Sequence, residues 1–158
     1  MKRYLLFVVL LVGLLVQAAC SNSESKAAPI TVENVRANMT MPTDTGSFWM
    51  LITNNSDTDD ALLGAAVDGC GVIELHDMVM ENDVMVMRPV AGGKIPIPAG
   101  QTVELKPGGL HVMCMQKAAP LALGTKVKIE LEFANAGTIT VEGEVVEPAM
   151  SSGGMNNN

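Results

Sequence analysis

Apolar and polar residues alternate along most of this chain, most cleanly from Lys126 to Phe133, where Val127, Ile129, Leu131 and Phe133 are separated by Lys128, Glu130 and Glu132. A period of two puts one set of side chains on each face of an extended segment, so this stretch predicts a strand with one buried and one wet face. After the turn at Ala134 to Gly137 the alternation resumes with Ile139 and Val141 against Thr140 and Glu142, which predicts a hairpin. Similar runs occur at Ile30 to Thr40, Gly46 to Asn54, Ala61 to Val67, Val72 to Met80, Val84 to Val90, Gln101 to Leu105 and Leu110 to Gln116. Asn, Asp, Gly or Pro clusters separate most of them. About nine short strands with no amphipathic helix predict an all-β domain, a Greek-key barrel or sandwich. Trp49, the only tryptophan, is expected in its core.

The first residues break this pattern. Met-Lys-Arg precedes thirteen apolar residues from Tyr4 to Val16, then Gln17-Ala18-Ala19-Cys20 and a polar run. That length falls short of the ~20 residues a membrane-spanning helix needs, so residues 1–19 read as an export signal of the lipoprotein type, with Cys20 as the residue to be lipidated. Val16-Gln17-Ala18 also suits an ordinary signal peptidase. Residues 20–29 then form a tether, 30–147 the β domain, and 148–158, rich in Ser, Gly and Asn, a flexible tail.

The chain of 158 residues carries a formal net charge of −7, which loss of Lys2 and Arg3 with the signal deepens by two. An acidic surface excludes a nucleic-acid partner and favours a cationic ligand or a basic protein. Membrane contact is expected only through a lipid on Cys20. Cys70 and Cys114 are the remaining cysteines. Export places them where a disulfide is chemically allowed, but sequence alone does not pair them.

Chemistry concentrates in two stretches. "ELHDMVMENDVMVMRPV", residues 74–90, holds four of the twelve methionines and one of only two histidines; "GGLHVMCMQ", residues 108–116, holds the other histidine. Strand alternation puts His76, Met78 and Met80 on one face, Met85 and Met87 on one face of the next strand, and His111, Met113 and Met115 together with Cys114 turned away. Thioether sulfur is soft and neutral and imidazole intermediate, a combination suited to Cu(I) rather than to Mg²⁺, Ca²⁺ or Mn²⁺. Zinc in a structural site takes thiolates or more histidines. Met78, Met80, Met85 and Met115 read as packing or supporting residues, with a role as alternative copper partners left open. No catalytic triad or phosphate-cradling loop is discernible, which argues against an enzyme.

The order His76, ten residues, Met87, twenty-three residues, His111, one residue, Met113 resembles the signature of the periplasmic copper chaperones called PCuAC, as do the phrases "VMVMRPV" and "IPAGQTVELKPGGLHVM". The interval before His111 is about two residues longer than is usual there, a difference that a turn around Gly92 to Ala99 absorbs at small entropic cost. The resemblance covers most of residues 30 to 146. It implies a cupredoxin-like fold and one Cu(I) per monomer held by His76, Met87, His111 and Met113. It also implies delivery to the CuA-bearing subunit of cytochrome c oxidase or to another copper acceptor. Two other readings compete: a cupredoxin-type electron-transfer protein, and a structural β-sandwich whose methionines only pack.

Overall fold

A computed structural model describes residues 28–147. The signal, Cys20, most of the tether and the tail lie outside the described residues. Ten strands follow in order: β1 Ile30–Asn38, β2 Thr45–Asn54, β3 Asp60–Val67, β4 Cys70–Glu81, β5 Val84–Pro89, β6 Ile95–Ile97, β7 Thr102–Leu105, β8 His111–Lys117, β9 Lys126–Phe133 and β10 Gly137–Val145. The only helical element among the described residues is a single 3-10 turn at Ala91–Gly93. The all-β class expected from alternation is the one found, in keeping with the cupredoxin-like fold that the family resemblance implies.

The strands hydrogen-bond in the order β5-β4-β8-β2-β1-β10-β9-β3-β6, with β7 also pairing β2. β2 serves two neighbours along one edge: Thr45–Phe48 pair with β8 and Met50–Thr53 with β7. β1 joins the halves, antiparallel to β2 and parallel to β10. The alternating apolar positions of β2, β8 and β9 meet in one core that includes Phe48, Ile52, Val112, Ile129 and Leu131. Burial of such side chains stabilises the fold by roughly 1.5–3 kcal/mol each relative to exposure.

Three local features depart from the sequence reading. The tenth strand, β6, lies within the stretch expected to be a turn; Ile95 and Ile97 are buried there and the segment pairs with β3. Trp49 is only partly buried, on the outer face of β2 opposite Arg36. The β4–β5 reversal is two residues long, because Asn82 and Asp83 both adopt positive φ (48° and 64°) as a type I′ turn requires. Asn and Asp tolerate that region better than most residues, so this turn fixes the β4–β5 register.

Cys70 and Cys114 form a disulfide, which resolves the question their sequence left open. It joins β4 to β8, the two strands that carry the histidines.

Candidate metal centre

The pairing of β4 with β8 sets His76 directly opposite His111 and Glu74 opposite Met113. On the other side of β4, Met78 lies opposite Met87 and Met80 opposite Met85. Opposed residues share a face of the sheet, and diagonal neighbours about 7–8 Å apart remain within reach of long side chains. His76 is therefore the hub: His111 stands directly across, with Met113 and Met87 each one diagonal step away, on β8 and β5. The fold brings all four sequence-predicted residues onto one face.

Both imidazoles are buried, at 7% and 6% exposure, and their centroids lie 5.8 Å apart, edge to face at 67°. Their hydrogen bonds fix which nitrogen is free. His76 Nε2–H donates to Glu74 Oε2 at 2.8 Å, so Nδ1 carries the lone pair; it is buried and has no hydrogen-bond partner. His111 Nδ1–H donates to the Gly109 carbonyl at 2.8 Å, which leaves the lone pair on Nε2. A carboxylate or carbonyl on the far nitrogen is the arrangement that orients metal-binding histidines and raises their basicity. A buried lone pair without a partner is costly, and a bound soft cation would satisfy it.

Met87, His111 and Met113 line one cavity of about 250 Å3, and Met41 from the β1–β2 loop joins them. Among the described residues no three His, Cys, Asp or Glu side chains gather to hold an ion. Besides the two imidazoles, this face carries the thioethers of Met87 and Met113 as soft donors. Cys114 is excluded as a donor because its sulfur is in the disulfide. Met80 and Met85 are exposed rather than packed, while Met78 and Met115 are partly buried.

Three residues of this neighbourhood escaped the sequence reading. Met41 lies in a loop, where no periodicity places it. Glu74 had a usable signal, since alternation puts it on the His76 face two positions away. Lys117 is buried at the end of β8, and its Nζ donates to the carbonyls of Met39 (3.3 Å) and Met41 (2.7 Å), which ties down the loop that brings Met41 to the cavity. Lys117→Ala takes the donor from the Met41 carbonyl, while the Met39 carbonyl keeps its bond from Leu121 N–H, and a loss of about 1–3 kcal/mol in urea denaturation is expected.

Burial holds the pKa of His111 below its ordinary 6.5; the Gly109 carbonyl opposes this, His76 adds to it, and Asp77 opposes it. A histidine kept neutral by folding contributes stability that is fully present above the unfolded pKa and is lost as pH falls from there through the folded value. The metal-free protein should thus lose stability on acidification below about 6.5. His111→Gln should flatten that part of the curve in denaturation series at stepped pH.

The sequence profile of the LpqE-like family matches residues 30–145. The chain belongs to the LpqE-like family. A curated relative, the lipoprotein Lxx21020 of Leifsonia xyli subsp. xyli, is 33% identical over 90 residues, 57% of this chain and 54% of that protein. The chain thus spans about half the length of this curated relative, and both the family and the relative carry the word lipoprotein in their names. Among solved structures, the Cu(I) form of DR1885 from Deinococcus radiodurans is 28% identical, with a TM-score of 0.62 over 83% of this chain and 87% of that one. The copper-bound PCuAC domain of PmoF2 has a TM-score of 0.63 at 21% identity, covering 76% of this chain and 94% of that one. The metal-free PCuAC domain of PmoF1 reaches 0.64 at 23%, covering 76% and 95%. The two PmoF domains establish the shared fold alone.

Proposed function

We propose that this LpqE-like protein is an exported Cu(I) carrier that holds one copper ion per chain with His76, Met87, His111 and Met113. Its acceptor is the CuA-bearing subunit of cytochrome c oxidase or another thiolate-bearing copper site. The observation that carries the reading is the buried histidine pair: each ring has one nitrogen engaged by a neighbour and one lone pair free, beside two thioethers on the same face. Four neutral donors stabilise a monovalent soft ion without the charge that traps a divalent one. Handover is then downhill, because an acceptor thiolate offers anionic sulfur where the carrier offers only neutral donors.

Likeness to the Cu(I) form of DR1885 supports the same ion here. The electron-transfer alternative lacks its thiolate, since blue copper requires a free cysteine with two histidines and Cys114 is disulfide-bonded. Lipidation of Cys20, consistent with the family's description as lipoproteins, would keep the carrier at a membrane surface beside a membrane-bound acceptor.

Competition between the protein and a chromogenic Cu(I) chelator, without oxygen, tests the carrier reading. One equivalent withheld from the chelator and then released to a purified CuA-domain acceptor is the expected result. Failure to withhold any copper rules out a carrier, and an intense blue band on oxidation indicates a cupredoxin instead.

A further inference from the structure

The β4–β5 ribbon has two unlike faces. Asp77, Val79 and Glu81 on β4 and Val84, Val86 and Arg88 on β5 make one of them; Met78, Met80, Met85 and Met87 make the other, as two directly opposed pairs. The first face follows strand chemistry, with β-branched residues and the Arg88–Glu81 ion pair. The second does not. Methionine has no special preference for strands, and the usual reason to place it in a protein, filling gaps in a core, fails here: Met80, Met85 and Met87 are 63%, 45% and 45% exposed. β5 is moreover the terminal strand of the sheet, so no further strand pairs with its outer edge among the described residues.

We propose that this methionine ladder is a second, weaker site for a soft monovalent cation, Cu(I) or Ag(I), which receives the ion at the hairpin tip and passes it to the histidine pair. The idea rests on the carrier reading above, shares Met87 with it, and adds Met78, Met80 and Met85. Opposed side chains in an antiparallel pair have Cβ atoms about 4.5–5.5 Å apart, and two flexible thioethers at that spacing can turn their sulfurs onto one ion. Met80 with Met85 forms the outer rung and Met78 with Met87 the inner one. Met87 belongs both to the inner rung and to the cavity shared with His111 and Met113, so the ladder runs into the proposed copper site. Transfer along it is donor exchange: one metal–sulfur bond breaks as a bond to the next donor forms. The ion keeps its single charge, no electron or proton moves, and Met87 can stay bound while a second thioether gives way to imidazole. Two thioethers bind less tightly than two imidazoles with two thioethers, so the gradient points inward.

Silver nitrate titration of the full chain, labelled with carbon-13 at the methionine methyls, separates the two sites, because Ag(I) is soft, monovalent and redox-silent. Met87 and Met113 methyls should shift with the first equivalent and Met80 and Met85 methyls with the second. In the variant Met80→Leu/Met85→Leu the second equivalent should be lost and the first kept; leucine preserves the apolar surface, and an unchanged spectrum elsewhere shows that the variant is folded. Met80 and Met85 methyls that stay fixed at excess silver would overturn the ladder as a metal site and leave it an apolar contact surface. Retention of the second equivalent by the double variant would overturn it equally. A fixed Met113 methyl alongside responding Met80 and Met85 would instead sink the histidine-site reading and uphold the ladder.

Discussion

His111→Ala should weaken Cu(I) binding by more than the roughly 10–100-fold that loss of a supporting partner costs a metal site. The substitution removes one of the four proposed ligands and leaves His76 without the imidazole 5.8 Å away. Met113→Leu keeps the volume and removes only a neutral thioether, so its effect should be smaller than that of either histidine. Glu74→Gln separates orientation from ligation: it retains the shape but replaces the carboxylate that accepts the His76 Nε2–H with a neutral amide, and a loss of about tenfold is expected. Chelator competition on the four proteins, each checked for folding by circular dichroism, reads the ranking. Equal affinities for wild type and His111→Ala would remove His111 from the ligand set.

Breaking the disulfide should produce the largest loss of stability. Cys70 and Cys114 are 44 residues apart in sequence, and closing a loop of that size lowers unfolded-state entropy by the equivalent of about 4 kcal/mol. Cys70→Ala/Cys114→Ala should therefore unfold at a clearly lower urea concentration, with a loss of roughly 2–5 kcal/mol. The bond ties β4 to β8, but the ladder hydrogen bonds that set His76 opposite His111 remain without it. The folded double variant should thus still bind copper. Since copper binds only the folded state, free ion at a hundred times its dissociation constant should restore about 2.7 kcal/mol. Copper that does not raise the variant's unfolding midpoint would show that the site needs the disulfide to form.

The readability of this sequence followed the range of the interactions involved. Strands such as Lys126–Phe133 announced themselves because alternation is local, and the β4–β5 hairpin because two strand patterns flank a short polar turn. β6 stayed hidden because Ile95-Pro96-Ile97 is too short to show a period and carries a proline; burial against β3, not local propensity, makes it a strand. The candidate site was legible in composition, as soft donors beside scarce histidines, and its four positions through family resemblance. What periodicity could not supply was the β4–β8 pairing that opposes two histidines thirty-five positions apart in the chain. The disulfide, the loop carrying Met41 and the buried Lys117 that anchors it are likewise products of long-range packing. Strand alternation did turn Cys114 away from Met113 and Met115, and the fold buries it on that opposite side.

The central claim is that two imidazoles and two thioethers grip one cuprous ion at the face shared by β4, β5 and β8. X-ray absorption at the copper edge, on protein loaded with one equivalent of Cu(I), counts those donors directly. A shell of two nitrogen and two sulfur scatterers is the expected result, and a shell of oxygen or nitrogen alone would contradict the account.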